Sequence, residues 1–251
     1  MEATKTDSTT TGDSRDESSH FSHQDDAGPA VACHADRRVL LDHHRDHLRT
    51  SGLTDATIDS ARIYSVTDPA DAAAILNWSG PDGPAPAIAF PNFGVNGKVS
   101  TTILRPDEPR ARRDGKAPKY EWPVGQAARL YYPPHVLVPR SRFQDPNVPL
   151  LLVEGIKKVL SIVQTGVELA PISAQGVTVW HDVALRKKTS LRRLHPDLDD
   201  IPIEGRIVYI CFDGGDTSEN PPVIDAEARL ARALLDEGAN VRLVRVPYRR
   251  R

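Results

Sequence analysis

Two carboxylates in this chain close apolar runs. Glu154 follows Leu150-Leu151-Leu152-Val153 and precedes Gly155, while Asp213 follows Ile207-Val208-Tyr209-Ile210-Cys211-Phe212, with Asp216 shortly after it. Short, continuously apolar runs read as strands buried on both faces, so each acid stands at the carboxyl end of a strand. If the two strands are parallel neighbours, Glu154 and Asp213 emerge at the same sheet edge, which is where open α/β sheets hold their ligands. An oxygen-rich pocket of this kind suits a hard divalent cation. Mg²⁺ is the default, because it accepts one or two carboxylates together with water and phosphate. A plainer role is also open to Glu154, since an acid at the start of a helix interacts favourably with the helix dipole. Lys157 and Lys158 fall in the first turn of the helix that follows, where they could meet phosphate beside the backbone amides or simply face water.

Cations gather elsewhere too. Arg110, Arg112, Arg113 and Lys116 lie in a Pro-interrupted loop that feeds Lys119-Tyr120-Glu121-Trp122, and further clusters are Arg186-Lys187-Lys188, Arg192-Arg193 and Arg249–Arg251. A charge run is ordinarily a solvated surface. Next to Tyr120, Trp122, Tyr131 and Tyr132 it also fits a single-strand binder, in which bases stack on aromatic rings and the backbone meets cations. Cys33, His34, His43, His44 and His47 include enough ligand types for zinc, and His43 and His47 share a helical face. Their spacing matches no zinc module, so surface histidines are expected. Trp180-His181-Asp182 has no nucleophile elbow to pair with, and Trp180 reads as core.

The elements that would position these residues alternate in the last third of the chain. Strands are expected at Leu150–Val153, Leu169–Ile172, Arg206–Phe212 and Asn240–Val246, with helices at Ile156–Thr165 and Pro222–Asp236 between them. This alternation implies parallel pairing. Before it, Ala87–Phe93 and Val99–Leu104 flank Asn96-Gly97, a strong hairpin turn. Earlier still come short helices starting near Arg38, at Thr54 and at Asp68-Pro69, the last two with capping residues. Three regions follow: a disordered acidic tail over 1–36, an N-terminal α+β region over 37–148 and an α/β domain over 149–251. The tail is rich in Ser, Thr, Asp and Gly and has too little apolar surface to offset ordering entropy.

With 251 residues and 39% hydrophobic content, the chain can build one sizeable core or two small ones. A net charge of −2 excludes a uniformly basic coat but not a local basic face. Two cysteines cannot make a disulfide framework, no run is long and apolar enough to span a membrane, and the N-terminus lacks a signal-peptide pattern. A cytoplasmic protein is expected.

Leu151-Leu152-Val153-Glu154-Gly155 with the later strand ending at Phe212-Asp213 resembles the Toprim domain of primases and topoisomerases. The span from His44 to Pro247 is more closely similar to the Toprim-like domain of unknown function found in primase-related proteins of phages, plasmids and mobile elements. The resemblance is carried by His47-Leu48-Arg49-Thr50-Ser51-Gly52-Leu53, Tyr132-Pro133-Pro134, Glu154-Gly155-Ile156-Lys157-Lys158, Gly205-Arg206-Ile207-Val208, Phe212-Asp213 and Val244-Arg245-Val246-Pro247. Ile156 stands where that pattern has a second acid, and Asp216 is displaced by one position from its counterpart. The resemblance implies a mainly parallel sheet flanked by helices, with Glu154 handling a proton or ligating Mg²⁺, Asp213 as the main metal ligand and Asp216 as the second. It further implies single-stranded or primer-template nucleic acid as partner, with a helicase or another replication protein alongside. A catalytically degenerate scaffold and a nuclease acting in defence are the alternatives.

Overall fold

Short apolar spacings at the start of the chain build small helices, and capping residues fix where they begin. In the computed structural model, which describes residues 38–111, 115, 117–182, 193–213 and 220–247, α1 spans Asp42–Thr50 and α2 spans Asp55–Ser60. The Thr54 hydroxyl accepts the Thr57 amide at 3.3 Å, which satisfies one of the amides that a helix start leaves without a partner. After β1 (Tyr64–Val66), α3 (Pro69–Ile75) opens on the Asp68 carboxylate, which accepts the Ala70 amide at 2.7 Å. The hairpin strands are β2 (Ala87–Phe93) and β3 (Val99–Pro106), and β1 pairs with β2 to complete an antiparallel sheet in the order β1-β2-β3. At the turn, Gly97 has φ +75°, and a Cβ there would lie 2.5 Å from the His135 ring, so both conformation and space call for glycine.

Two expectations change in this region. A strand, β1, lies among the helices where helices alone were expected. The aromatic stretch around Tyr120 is not a full strand: Glu121 makes an isolated antiparallel bridge to Leu104. The expected tail over 1–36 lies outside the described residues.

The remaining elements are α4 (Arg140–Gln144), β4 (Leu150–Val153), α5 (Ile156–Val163), β5 (Ala170–Ser173), β6 (Ile207–Cys211), α6 (Pro221–Asp236) and β7 (Asn240–Leu243). The strands form a parallel sheet in the order β5-β4-β6-β7, flanked by helices, so the fold is α/β as expected. The last strand stops at Leu243, short of Val246. β4 is buried on both faces, which is why its sequence is a continuous apolar run. Its alternate residues feed two cores: Leu150 and Leu152 pack with Phe212, Trp180, Leu230 and Leu234, while Leu151 and Val153 pack with Val159, Leu160, Phe90 and Leu48.

The second of those cores joins the parallel sheet to the antiparallel one, and backbone hydrogen bonds join them as well. Tyr131 and Ser173 exchange N–H···O bonds of 2.9 and 3.0 Å, and the next amide, that of Tyr132, donates to the Phe93 carbonyl at 3.0 Å. One two-residue segment is thereby bonded to the edge strand β5 of the parallel sheet and to the end of the central strand β2 of the antiparallel one. Arg206, fully buried at the start of β6, donates to the carbonyls of Val148 (2.7 Å), Phe143 (2.6 Å), Arg142 (3.0 Å) and Pro202 (3.3 Å).

Candidate functional site

Parallel pairing of β4 with β6 puts Val153 opposite Cys211, and both chains leave the sheet on the same side. Glu154 and Asp213 meet there. The Asp213 amide donates to Glu154 Oε1 at 2.9 Å, and Lys158 Nζ bridges the two carboxylates, 3.0 Å from Glu154 Oε2 and 2.5 Å from Asp213 Oδ1. Lys158, in the first turn of α5, reaches back to Glu154, which stands just before the extended capping residue Gly155. The side chain of Glu154 does not cap α5, since its oxygens go to Asp213 and Lys158 and the capping position, Gly155, carries no side-chain cap.

Burial pushes the Glu154 carboxyl above its ordinary pKa, outweighing the pull of the Asp213 amide and the Lys158 ammonium in the other direction. For Lys158, burial lowers the pKa, but hydrogen bonds to Asp213 and Glu154 outweigh it and hold the ammonium charged. The donor chemistry here is two hard carboxylates at one edge, which suits Mg²⁺, with the Lys158 ammonium as the group that an incoming cation has to displace.

The two adjacent lysines diverge. Lys157 donates to Ser51 Oγ at 2.9 Å, at the carboxyl end of α1. Burial lowers its pKa, and Arg105 and Lys119 lie near enough to lower it further. Cations from α5, from β3 and from the segment after the basic loop thus act on one region. Arg105 was not singled out from the sequence. Its alternation along β3 was the available signal, but its meeting with Lys157 depends on tertiary packing.

Of the other residues expected to meet nucleic acid, only some fall among the described residues. Arg110 stacks over the Trp78 ring at 4.0 Å. Tyr120 is half-buried, edge-on to Phe90 at 5.8 Å, and Trp122 packs partly into the same core. Tyr131 and Tyr132 are 1% and 0% exposed, so neither offers a ring to a base. Asp216, Arg112, Arg113, Lys116, Arg186, Lys187 and Lys188 lie outside the described residues, as do Arg192 and Arg249–Arg251. Of the histidines expected at the surface, His43 is exposed, but two depart from that expectation. His44 is buried, and His47 Nε2 is buried with no hydrogen-bond partner among the described residues. Trp180 is core, as read. Among the described residues, no helix is long and apolar enough to cross a membrane.

A family model described as a domain of unknown function (DUF3854) matches residues 141–250, the part that carries β4, α5, β6 and α6. No curated protein matches the sequence. Among solved structures, the zinc-binding and RNA polymerase domains of the Aquifex aeolicus primase align with a TM-score of 0.55 at 14% identity, over 82% of this chain and 50% of that one. The DnaG catalytic core aligns with a TM-score of 0.51 at 18% identity, over 82% of this chain and 65% of that one. The chain therefore spans between half and just under two thirds of these structures, and what it shares with them is the fold of a primase core.

Proposed function

We propose that this chain is a Toprim-like, primase-related nucleic-acid-binding protein that holds Mg²⁺ between Glu154 and Asp213, with Asp216 as a further ligand. The observation that carries this reading is the meeting of Glu154 and Asp213 at the carboxyl edge of two adjacent parallel strands. The fold shared with primase cores supports it, as does the cluster of Lys157, Arg105 and Lys119. A bound ion would neutralise and orient phosphate oxygens. Burial holds Glu154 above its ordinary pKa while no ion is bound, and ligation would draw it down, so Glu154 either ligates the ion or, with the ion left to Asp213 and Asp216, handles a proton beside that phosphate; Lys158 and the neighbouring cations attract the polyanion. The substrate in this reading is single-stranded or primer-template nucleic acid, and the setting is replication of a mobile element alongside a helicase or another replication protein.

A second reading has a specific observation in its favour. The Lys158 ammonium already offsets one of the two negative charges of the acid pair, and a protein with such an internal counter-ion can bind nucleic acid without metal. Calorimetric titration of Mg²⁺ into the native chain and into Glu154→Ala, Asp213→Asn and Lys158→Met, paired with oligonucleotide binding across a salt series, separates the two. The first reading expects Mg²⁺ binding that is lost in both acid variants and tightened in Lys158→Met. If neither the native chain nor Lys158→Met takes up Mg²⁺, that reading fails. Metal-independent binding that falls steeply with salt would then establish the second.

A further inference from the structure

The buried histidine of α1 is part of a three-residue cluster separate from the acid pair. His43 Nε2 and His44 Nε2, neighbours on α1, donate to the two oxygens of one carboxylate, Asp107, at 3.1 and 2.8 Å. Asp107 directly follows β3, more than sixty residues away in sequence. All three donor atoms lie within 4.8 Å of one another. In a tetrahedral zinc site with legs of about 2.0–2.1 Å, ligand atoms stand roughly 3.3 Å apart; the two imidazole–carboxylate contacts are a few tenths of an ångström shorter than that, and the cluster lies within 4.8 Å, so side-chain adjustment on the order of 1 Å admits an ion.

The surroundings fit as well. His44 Nδ1 is 2.6 Å from Ser65 Oγ in β1, and the same oxygen accepts the Leu41 amide at 2.8 Å. A hydroxyl that is anchored in this way can donate to His44 Nδ1 when the other ring nitrogen carries a proton, or accept from it when that nitrogen binds a metal. The second arrangement is the outer-shell support that metal-bound imidazoles use. His44 is enclosed, whereas His43 is 61% exposed and Asp107 30% exposed at their side chains, so one side of the cluster is open to a water ligand.

We propose that His43, His44 and Asp107 bind one zinc-class divalent ion, with water completing the coordination, and that the ion clips α1 to the ends of β1 and β3. Two imidazoles with one carboxylate favour a borderline transition metal over Mg²⁺. The site is independent of the reading of Glu154 and Asp213.

The test is titration of Zn²⁺ into the full chain, with metal content measured after gel filtration and Co²⁺ used as a spectroscopic probe of four-coordination. His43→Ala and Asp107→Asn are the informative variants, because both side chains are partly exposed and neither opens a cavity in the core. A Cys33→Ser/His34→Ala variant controls for ligands in the N-terminal segment. One equivalent of Zn²⁺ is expected in the native chain and in the control, accompanied by a rise in melting temperature, with affinity weakened at least about tenfold in His43→Ala and in Asp107→Asn. Absence of a bound equivalent in the native chain overturns the proposal. So does binding that survives both site variants, or binding that disappears in the Cys33→Ser/His34→Ala control.

Discussion

Lys157 and Lys158 show how adjacent residues of one type come to differ. Lys158 turns back to the sheet edge and is held by two carboxylates, whereas Lys157 reaches Ser51 and feels the charge of Arg105 and Lys119. Because burial and those cations lower the Lys157 pKa below 10.5, the native state binds that proton less readily than the unfolded chain does. Stability therefore rises as pH climbs from the lowered value towards 10.5, and falls back as pH drops through the lowered value. In Lys157→Met that slope should vanish from melting temperatures recorded across the alkaline range. In oligonucleotide titrations the same variant should reduce the salt slope by about one and weaken all sequences alike, as expected of a phosphate contact. Glu154 and Asp213 were legible in the sequence because each ends an apolar run. Their link through Lys158 was half-legible, as an i, i+4 pair. The His44–Asp107 contact was not, because nothing local relates residues that distant in the chain.

Elements were legible where a single strong signal marked them. β4 matches its expected bounds because a strand buried on both faces is apolar throughout, and the β2–β3 hairpin is marked by Asn96-Gly97. β1 is three residues long, so the alternation of Tyr64, Ser65 and Val66 is too short to stand out in the sequence, and its pairing with β2 is seen only in the fold. Arg206 shows a similar limit. A charged residue at the start of a strand reads as exposed, yet its guanidinium is buried against the carbonyls of Arg142 and Phe143, which the end of α4 leaves without helical partners. It thereby ties α4 to β6 and to the approach to β4. Arg206→Met removes every one of these donors while keeping much of the side-chain length. With each unsatisfied buried carbonyl costing about 1–3 kcal/mol, urea denaturation should show a loss on the order of 3–5 kcal/mol. A loss under about 1 kcal/mol would mean that water replaces the guanidinium.

At the scale of the whole molecule, the alternation of elements in the last third of the chain led to the expectation of an α/β domain apart from an N-terminal α+β region. What it could not convey is that one core contains residues of both, with Phe90 and Ile103 packed among Leu151, Val159 and Leu160. Unfolding followed through Trp122, in that shared core, and through Trp180, in the core on the opposite face of β4, should therefore give coincident transitions in single-tryptophan variants. Separate midpoints would show that the sheets come apart independently.

Because consecutive residues, Tyr131 and Tyr132, are hydrogen-bonded to Ser173 of one sheet and Phe93 of the other, neither sheet can open locally at this seam without disturbing its neighbour. In deuterium exchange the amides of Tyr131, Tyr132 and Ser173 should be among the slowest in the chain, exchanging only through global opening. A substitution that loosens β2 should then hasten exchange at Ser173, on the far side of the seam.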